Sequence, residues 1–144
     1  MTEIRPAQTA DAPQLTGLLT QLGYPAGVDA VANRLARLLN SPAHQILVAT
    51  PTSGSRIDGY IGIERRLTLV EDERAEITGL VVDSAARRSG LGCALVRAAE
   101  AWAVLHGLHT VVVRSNVTRS ESHPFYEELG YRRTKTSHTY RKEN

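Results

Sequence analysis

The sequence predicts a single α/β domain, residues 1–144, in which helices flank one mixed β-sheet. A length of 144 residues is usual for one domain, and contents of 42% hydrophobic and 22% charged residues are ordinary for a globular protein. Short apolar runs alternate with amphipathic helical patterns along the chain. Past the middle, a long helical pattern separates two apolar runs, which favours a strand–helix–strand crossover. The predicted order is β-α-α-β-β-β-α-β-α-β-β.

The first third of the chain predicts one strand and two helices. Residues 3–7 are predicted as a short strand. The first helix is indicated by leucines that recur with helical spacing: Leu15, Leu18, Leu19 and Leu22. Pro13 fits its first turn, and Gly23 fits its C-terminal end. The second helix is predicted over residues 28–39 and ends before Pro42, because the residue that precedes a proline avoids helical geometry.

The middle of the chain predicts three further strands and a long helix. Residues 45–50 and 56–66 are joined by a turn-forming segment, so the pair is predicted as a hairpin. A charged connection leads to the third strand, residues 75–82. The helix over residues 91–105 is expected to bury an apolar stripe of Leu91, Leu95, Ala98, Trp102 and Leu105.

The C-terminal part predicts one buried strand, one short helix and two final strands. Residues 110–114 include three consecutive valines, which is typical of a buried strand. The short helix is predicted over residues 119–129 and is ended by Gly130. Residues 131–135 and 137–141 are predicted as the last two strands of the sheet.

Charge, hydropathy and cysteine content exclude several classes of protein. A net charge of +2 does not suggest the basic stripe of a nucleic-acid-binding protein. No apolar run approaches the about 20 residues that span a bilayer, and the N-terminus shows no apolar signal segment. The single cysteine, Cys93, rules out an intrachain disulfide and favours the reducing cytoplasm. The histidines lack the spacing of metal ligands, so no metal is predicted.

The segment most informative about function is the loop Arg87-Arg88-Ser89-Gly90-Leu91-Gly92, which lies between a predicted strand and the long helix. A helix N-terminus presents unpaired N–H groups with partial positive charge, and glycines let a ligand approach the backbone closely. The loop therefore predicts an anion site suited to a phosphate or pyrophosphate, with arginines at its rim. Its spacing matches neither a Walker loop nor the G-x-G-x-x-G loop of dinucleotide-binding domains.

This loop resembles the signature Q/R-x-x-G-x-G/A of the GNAT superfamily, the acyl-CoA-dependent N-acetyltransferases. Downstream, Phe125-Tyr126-Glu127-Glu128-Leu129-Gly130-Tyr131 is similar to the F-Y-x-x-L-G-F/Y element of the same family. The resemblance covers essentially the whole chain, and it is specific between residues 75 and 131. It implies a GNAT-like fold and the transfer of an acetyl group from acetyl-CoA to a primary amine, by direct attack in a ternary complex.

The resemblance also implies how the co-substrate acetyl-CoA is held. Backbone N–H groups of the loop would bind the pyrophosphate of CoA, and the strand before the loop would pair with the pantetheine arm. Asn116 would contact the pantetheine, although it lies farther from Tyr126 than is common in the family. The alternative is a structural turn before a capped helix. The implied cofactor-binding residues are Leu80, Val81, Val82, Arg87, Arg88, Ser89, Gly90, Leu91, Gly92, Cys93 and Asn116.

Two catalytic residues are implied by the resemblance. Glu76 lies on the strand before the loop, where a carboxylate could accept the proton of the amine, directly or through water. Tyr126 matches the family tyrosine that can protonate the departing thiolate. The alternatives are a solvated Glu76 or one paired with an arginine such as Arg65, and a Tyr126 that only packs the short helix. Cys93, in the first turn of the long helix, gives an acyl-cysteine route as a further alternative.

The acceptor side is expected to be built from the first two helices and the connection around residues 67–73. Its acidic residues would suit a cationic amine, such as a polyamine, an aminoglycoside or a lysine side chain: Glu64, Glu71, Asp72, Glu73 and Glu76. The expected partner is a small-molecule or peptide amine, and no nucleic acid or membrane is expected to bind. The family resemblance also implies a possible homodimer. A non-catalytic acyl-CoA-binding sensor or interaction module is the alternative function, since it needs the loop without Glu76 and Tyr126.

Overall fold

The computed structural model describes residues 2–51, 56–87, 89–115 and 122–144. The chain forms two compact units, Met1–Val113 and Arg114–Asn144. The first unit contains the β-sheet with the longer helices of the chain, and the second contains a short helix. Within the residues described, no helix is both long enough and apolar enough to cross a membrane.

The strands described by the structure form one five-stranded sheet. Their bounds are Thr2–Pro6 for β1, His44–Pro51 for β2, Gly59–Arg66 for β3, Arg74–Val82 for β4 and Val111–Val113 for β5. They lie side by side in the order β1-β2-β3-β4-β5. Neighbours are antiparallel from β1 to β4, whereas β4 and β5 are parallel. The predicted crossover between two parallel strands is therefore present.

The helices begin and end close to the predicted residues. Their bounds are Ala12–Leu22 for α1, Val28–Leu39 for α2, Leu91–Leu105 for α3 and Ser122–Glu128 for α4. Pro13 lies in the first turn of α1, and Gly23 ends it with a φ of 101°, which favours glycine. The helix ends were predictable because caps and breakers act over a few residues. The predicted start of the short helix, residues 119–121, lies outside the described residues.

A partly buried ion pair fixes the turn between β1 and α1. Arg5 donates two hydrogen bonds to the Asp11 carboxylate, at 2.9 and 3.0 Å. The backbone N–H of Gln8 donates a third, at 2.7 Å. The hydrogen bonds from Arg5 hold the pKa of Asp11 below its usual value. Charge-assisted hydrogen bonds thus stabilise the entry of the chain into its first helix.

A β-bulge in β4 shifts the register of this strand against β3. Gly62 pairs with Gly79, and Ile63 pairs with Ile77, so Thr78 is an extra residue in β4. Bulges bend a strand and redirect side chains, and they are frequent beside binding sites. At Thr78, therefore, the pairing of β4 with β3 shifts by one residue.

The two faces of the sheet are covered by different helices. Side chains of α1 and α2 form a buried cluster with the face that carries Tyr60 and Val81, and this cluster includes Leu15, Leu18, Val31 and Leu35. α3 packs against β2, β3 and β4. It approaches the opposite face, since the Leu95 side chain lies 3.2 Å from where a Cβ atom of Gly59 would be. The sheet is thus the middle layer of the first unit.

The buried face of α3 differs from the predicted stripe. Its buried residues are Leu91, Leu95, Val96, Ala99 and Ala103. Leu105 is 84% exposed, so its predicted burial is wrong. Trp102 is half-buried, and its ring stacks on that of His106 with centroids 4.3 Å apart. Small alanines are among the buried residues of a helix that packs against the sheet, and a pattern that weights large apolar residues misses them.

The two final strands, predicted over residues 131–135 and 137–141, are not formed. Residues 131–144, all of which are described, contain no strand, and all but Tyr131 are exposed. A stable strand needs a hydrogen-bonded neighbour and an apolar face to bury, and this polar segment has no such face. The rest of the predicted order, β-α-α-β-β-β-α-β-α, and the α/β class are confirmed.

Candidate active site

The end of β4 has a backbone edge that β5 does not cover. β4 pairs with β5 only through residues 75–77. No described residue of β5 pairs with residues 78–82, although most of them still pair with β3 on the other side. An open strand edge can bind an extended chain through backbone hydrogen bonds, as an added strand would. The predicted pantetheine-binding residues Leu80, Val81 and Val82 lie on this edge.

The loop after β4 enters α3 through a glycine. Gly90 has a φ of 80°, and the space in front of it is open. Because Gly90 stands at the N-cap, no side chain at that position caps the helix. Ser89 Oγ donates to the carbonyl of Ala86 at 2.5 Å, and Arg87 Nε donates to the carbonyl of Val82 at 3.4 Å. Since no side-chain cap is present among the described residues, the first N–H groups of α3 can bind a ligand or water, as an anion site requires.

The structure brings most of the predicted cofactor-binding residues together. Leu80, Val81, Val82, Arg87 and residues 89–93 follow one path from β4 through the loop into the first turn of α3. Cys93 is half-buried there and forms no disulfide. Arg88 and Asn116 lie outside the described residues.

Glu76 is buried in β4, where its carboxylate contacts an arginine of β3. It is 5% exposed, and Arg66 Nη1 lies 3.4 Å from its Oε2. Arg66 Nη1 also lies 4.0 Å from Oε1 of Glu64, the register partner of Glu76. His44 Nε2 contacts Oε2 of Glu64 at 3.0 Å. Glu76 is therefore paired with Arg66, not with Arg65. It belongs to a row of polar and charged side chains that extends across three strands.

Two other acidic residues near the β3–β4 connection, Glu71 and Glu73, are also paired with arginines. Arg65 Nη1 lies 3.1 Å from Glu73 Oε2, and Arg74 Nε lies 3.2 Å from Glu71 Oε2. These pairs balance part of the negative charge on which the expectation of a cationic acceptor rests. Among the described residues, no group of His, Cys, Asp or Glu is placed to hold a metal ion.

A pocket of about 230 Å³ lies between α1, α2 and the sheet. It is lined by Leu15, Leu19, Val31, Arg34, Leu35, Leu38, Ile46, Tyr60 and Thr78. The register places Tyr60 and Glu76 on the same face of the sheet. Thr78 belongs both to the pocket wall and to the open end of β4. The first two helices, which were expected to build the acceptor side, thus form much of a pocket beside the predicted pantetheine edge.

Two facing glycines make room for hydroxyl groups at the pocket wall. A Cβ atom on Gly79 would lie 2.6 Å from the Tyr60 hydroxyl, and one on Gly62 would lie 2.6 Å from Oγ1 of Thr78. Burial raises the pKa of Tyr60, so its phenol stays protonated and can donate a hydrogen bond. The sequence patterns do not predict Tyr60, Thr78 or Arg34 as site residues. The available signal was a glycine inside each strand, which often marks close approach.

Tyr126 lies on α4, in the second unit, and is half-buried. Its ring makes edge contacts with Phe125 and Tyr131, at centroid distances of 5.1 and 5.9 Å. The backbone N–H of Tyr131 donates to the carbonyl of Tyr126 at 3.0 Å. The motif of residues 125–131 is thus a compact helix end in which aromatic contacts orient the Tyr126 ring.

Comparison with known sequences gives one family. The sequence matches the Acetyltransferase (GNAT) family over residues 18–131. The N-acetylaspartate synthetases of Rattus norvegicus and Homo sapiens are each 33% identical to it over 85 residues. This match covers 58% of the chain, and the chain spans only 28% of the length of these curated relatives.

Solved structures share the fold. The aminoglycoside 6'-N-acetyltransferase AAC(6')-Ih from Acinetobacter baumannii has a TM-score of 0.87 at 20% identity, over 100% of this chain and 99% of that one. The glucosamine-6-phosphate N-acetyltransferase from Arabidopsis thaliana has a TM-score of 0.84 at 19% identity, over 99% of each chain. At these identities the likeness shows the fold alone. Because the family match includes β4, the glycine loop, α3 and α4, the chain belongs to the Acetyltransferase (GNAT) family.

Proposed function

We propose that this chain is an N-acetyltransferase that moves the acetyl group of acetyl-CoA to a primary amine by direct attack in a ternary complex. The observation that carries the proposal is a continuous path: buried Glu76, then the open end of β4, then the glycine that starts α3. The family match over residues 18–131 supports a single N-acetyltransferase domain, residues 1–144.

In this proposal, backbone groups of β4 and α3 hold acetyl-CoA. Leu80, Val81 and Val82 pair with the pantetheine arm, because their edge is not covered by β5. The N–H groups of residues 88–93 bind the pyrophosphate, where the helix dipole favours negative charge. Arg87 adds positive charge at the rim, and Asn116 contacts the pantetheine, as the family resemblance implies.

Glu76 and Tyr126 move the protons that the transfer requires. Glu76 accepts a proton from the amine, directly or through one water, so that the nitrogen has a free electron pair. A bond forms between this nitrogen and the acetyl carbon, and the carbon–sulfur bond of the thioester breaks. The sulfur leaves with the bond's electron pair, and Tyr126 donates the proton that neutralises it. The family resemblance assigns both roles, and the burial of Glu76 in β4 supports the first.

The proposal is tested by calorimetry with acetyl-CoA, with ATP and NAD as control ligands, followed by an assay of thiol release with a panel of amines. We expect acetyl-CoA to bind, the controls not to bind, and the thiol to appear only when an amine is present. Binding without thiol release on any amine would favour a non-catalytic acyl-CoA-binding module. No binding of acetyl-CoA would overturn the proposal.

A further inference from the structure

The pocket between α1, α2 and the sheet is mostly aliphatic. Six of its nine lining residues have aliphatic side chains: Leu15, Leu19, Val31, Leu35, Leu38 and Ile46. Such walls are favourable for an apolar group because its burial removes hydrocarbon surface from water. The volume of about 230 Å³ is below the about 300–1,000 Å³ typical of sites for drug-sized ligands. The pocket therefore suits one small apolar group and is too small for an oligosaccharide.

The charge at the pocket favours an anion. Among the described residues that line it, Arg34 alone is charged, and it is exposed on α2. No carboxylate belongs to this lining, and the nearby glutamates of β3 and β4 are paired with Arg66. A polycation would meet this positive charge without a carboxylate among the described lining residues to attract it, whereas a carboxylate could take two hydrogen bonds from the guanidinium. The lining thus opposes polyamines and aminoglycosides as acceptors.

The polar end of the pocket lies at the open end of β4. Thr78 lines the pocket and is the first residue beyond the pairing of β4 with β5. Tyr60 adds a protonated hydroxyl near Gly79, one strand position farther along β4. An amine at this end would be beside the strand edge assigned to the pantetheine arm and on the face of the sheet that carries Glu76.

We infer that the amine acceptor is a small molecule with an apolar side chain and a carboxylate, such as a free amino acid with an apolar side chain. The side chain fills the aliphatic pocket, the carboxylate pairs with Arg34, and the amine lies toward Thr78 and the end of β4. This inference rests on the proposed acetyl transfer, and it selects an acceptor class opposite in charge to the cationic amines that the acidic residues suggested.

The acceptor class is tested by comparing kcat/KM among matched amines. L-phenylalanine and L-leucine carry both groups, phenethylamine and isoamylamine lack the carboxylate, and glycine lacks the apolar side chain. Spermidine and kanamycin represent polycations. We expect kcat/KM to be at least about tenfold higher for the two apolar amino acids than for any other amine of the panel, because only they satisfy both the aliphatic walls and the guanidinium.

Two arginine variants distinguish a specific ion pair between the acceptor carboxylate and Arg34 from an effect of the net positive charge of α2. Arg34→Gln removes the positive charge at the pocket, and Arg37→Gln removes one from the same helix at an exposed position that does not line it. We expect Arg34→Gln to lower kcat/KM for L-phenylalanine about five- to tenfold and to leave phenethylamine unchanged. Arg37→Gln should change neither. Both positions are exposed, so both variants should fold.

Results that differ from these expectations would contradict the inferred acceptor class. If acetyl-CoA binds but spermidine or kanamycin is the best acceptor, the acceptor class is wrong and the acetyltransferase proposal stands. If none of the carboxylate-bearing amines causes thiol release, the class is also wrong. Equal effects of Arg34→Gln and Arg37→Gln would exclude the pairing of the carboxylate with Arg34. Failure of acetyl-CoA itself to bind would instead overturn the proposed function, and with it this inference.

Discussion

Asp11 and Glu76 are both buried carboxylates beside an arginine, yet they have different surroundings. Each is 5% exposed. Asp11 receives two short hydrogen bonds from Arg5 and one from the backbone of Gln8, so it fixes a turn. Glu76 contacts Arg66 at the longer distance of 3.4 Å and lies on a strand that leads into the candidate site. Burial and an arginine partner therefore do not by themselves identify a catalytic carboxylate.

The Asp11 carboxylate makes stability depend on pH. Its pKa is lowered in the folded protein, so its stabilising effect is complete above its usual pKa and is lost as pH falls through the lowered value. Asp11→Asn should reduce the free energy of unfolding by about 1–2 kcal/mol at about pH 7, and by much less at about pH 2. Urea unfolding at both pH values measures this difference.

A surface ion pair provides the control for Asp11. Arg141 and Glu143 lie 2.8 Å apart, but their side chains are 85% and 79% exposed. Glu143→Gln should therefore change stability by less than about 0.5 kcal/mol, since solvent screens exposed pairs. A loss at Glu143→Gln equal to that at Asp11→Asn would show that burial is not what gives the Asp11 pair its effect.

Glu76→Gln tests the proposed general base. The amide keeps the shape of the side chain but cannot accept the proton, so we expect kcat to fall about 100-fold or more. The matched control is Glu64→Gln, because Glu64 lies opposite Glu76 and contacts the same arginine. Steady-state thiol release measures both. Equal losses of kcat in the two variants would mean that Glu76 acts only through its contact with Arg66, and that it has no role in proton transfer.

Tyr126→Phe tests the proposed general acid. The change removes the hydroxyl and keeps the ring that packs against Phe125 and Tyr131. We expect kcat to fall about tenfold to 100-fold while the affinity for acetyl-CoA, measured by calorimetry, is unchanged. Tyr131→Phe, in the same motif, is the control and should retain kcat. Unchanged turnover in Tyr126→Phe would remove it as the acid.

At the scale of single elements, helix ends were predictable and buried faces were not. The bounds of α2 and α3 agree with the prediction because glycine, proline and capping residues act locally. The buried face of α3 was predicted from its large residues, whereas its buried residues include Ala99 and Ala103. Which residues face a neighbouring layer depends on how closely that layer packs, and the helix alone does not contain this information.

At the N-terminus of α3, a substitution can weaken the binding of acetyl-CoA without destabilising the protein. Gly92 lies in its first turn, where an aspartate is favourable to the helix dipole but repels a bound pyrophosphate. Gly92→Asp should therefore keep the thermal stability of the protein, or raise it slightly, while affinity for acetyl-CoA falls about 100-fold or more. Gly92→Ala is the uncharged control, and calorimetry with acetyl-CoA is the measurement. Equal affinities of the two variants would place the pyrophosphate elsewhere.

At the scale of the whole molecule, the family and its fold agree with the sequence-based expectations. The GNAT family match confirms the predicted family, and the structural similarity confirms the predicted fold class. The family match spans residues of both compact units. A homodimer and a location in the cytoplasm stay predictions, the first from the family resemblance and the second from a single cysteine.

The sequence by itself determined the features that local chemistry controls: most strands and helices, the glycine loop at the start of α3, and the motif around Tyr126. Only the tertiary structure decided the pairing of Glu76 with Arg66, the β-bulge at Thr78, and the pocket that both Arg34 and Tyr60 line. Caps, glycines and motifs act between residues close in the chain. Register, burial and charge balance depend on residues that meet only after the strands pair, so no local pattern predicts them.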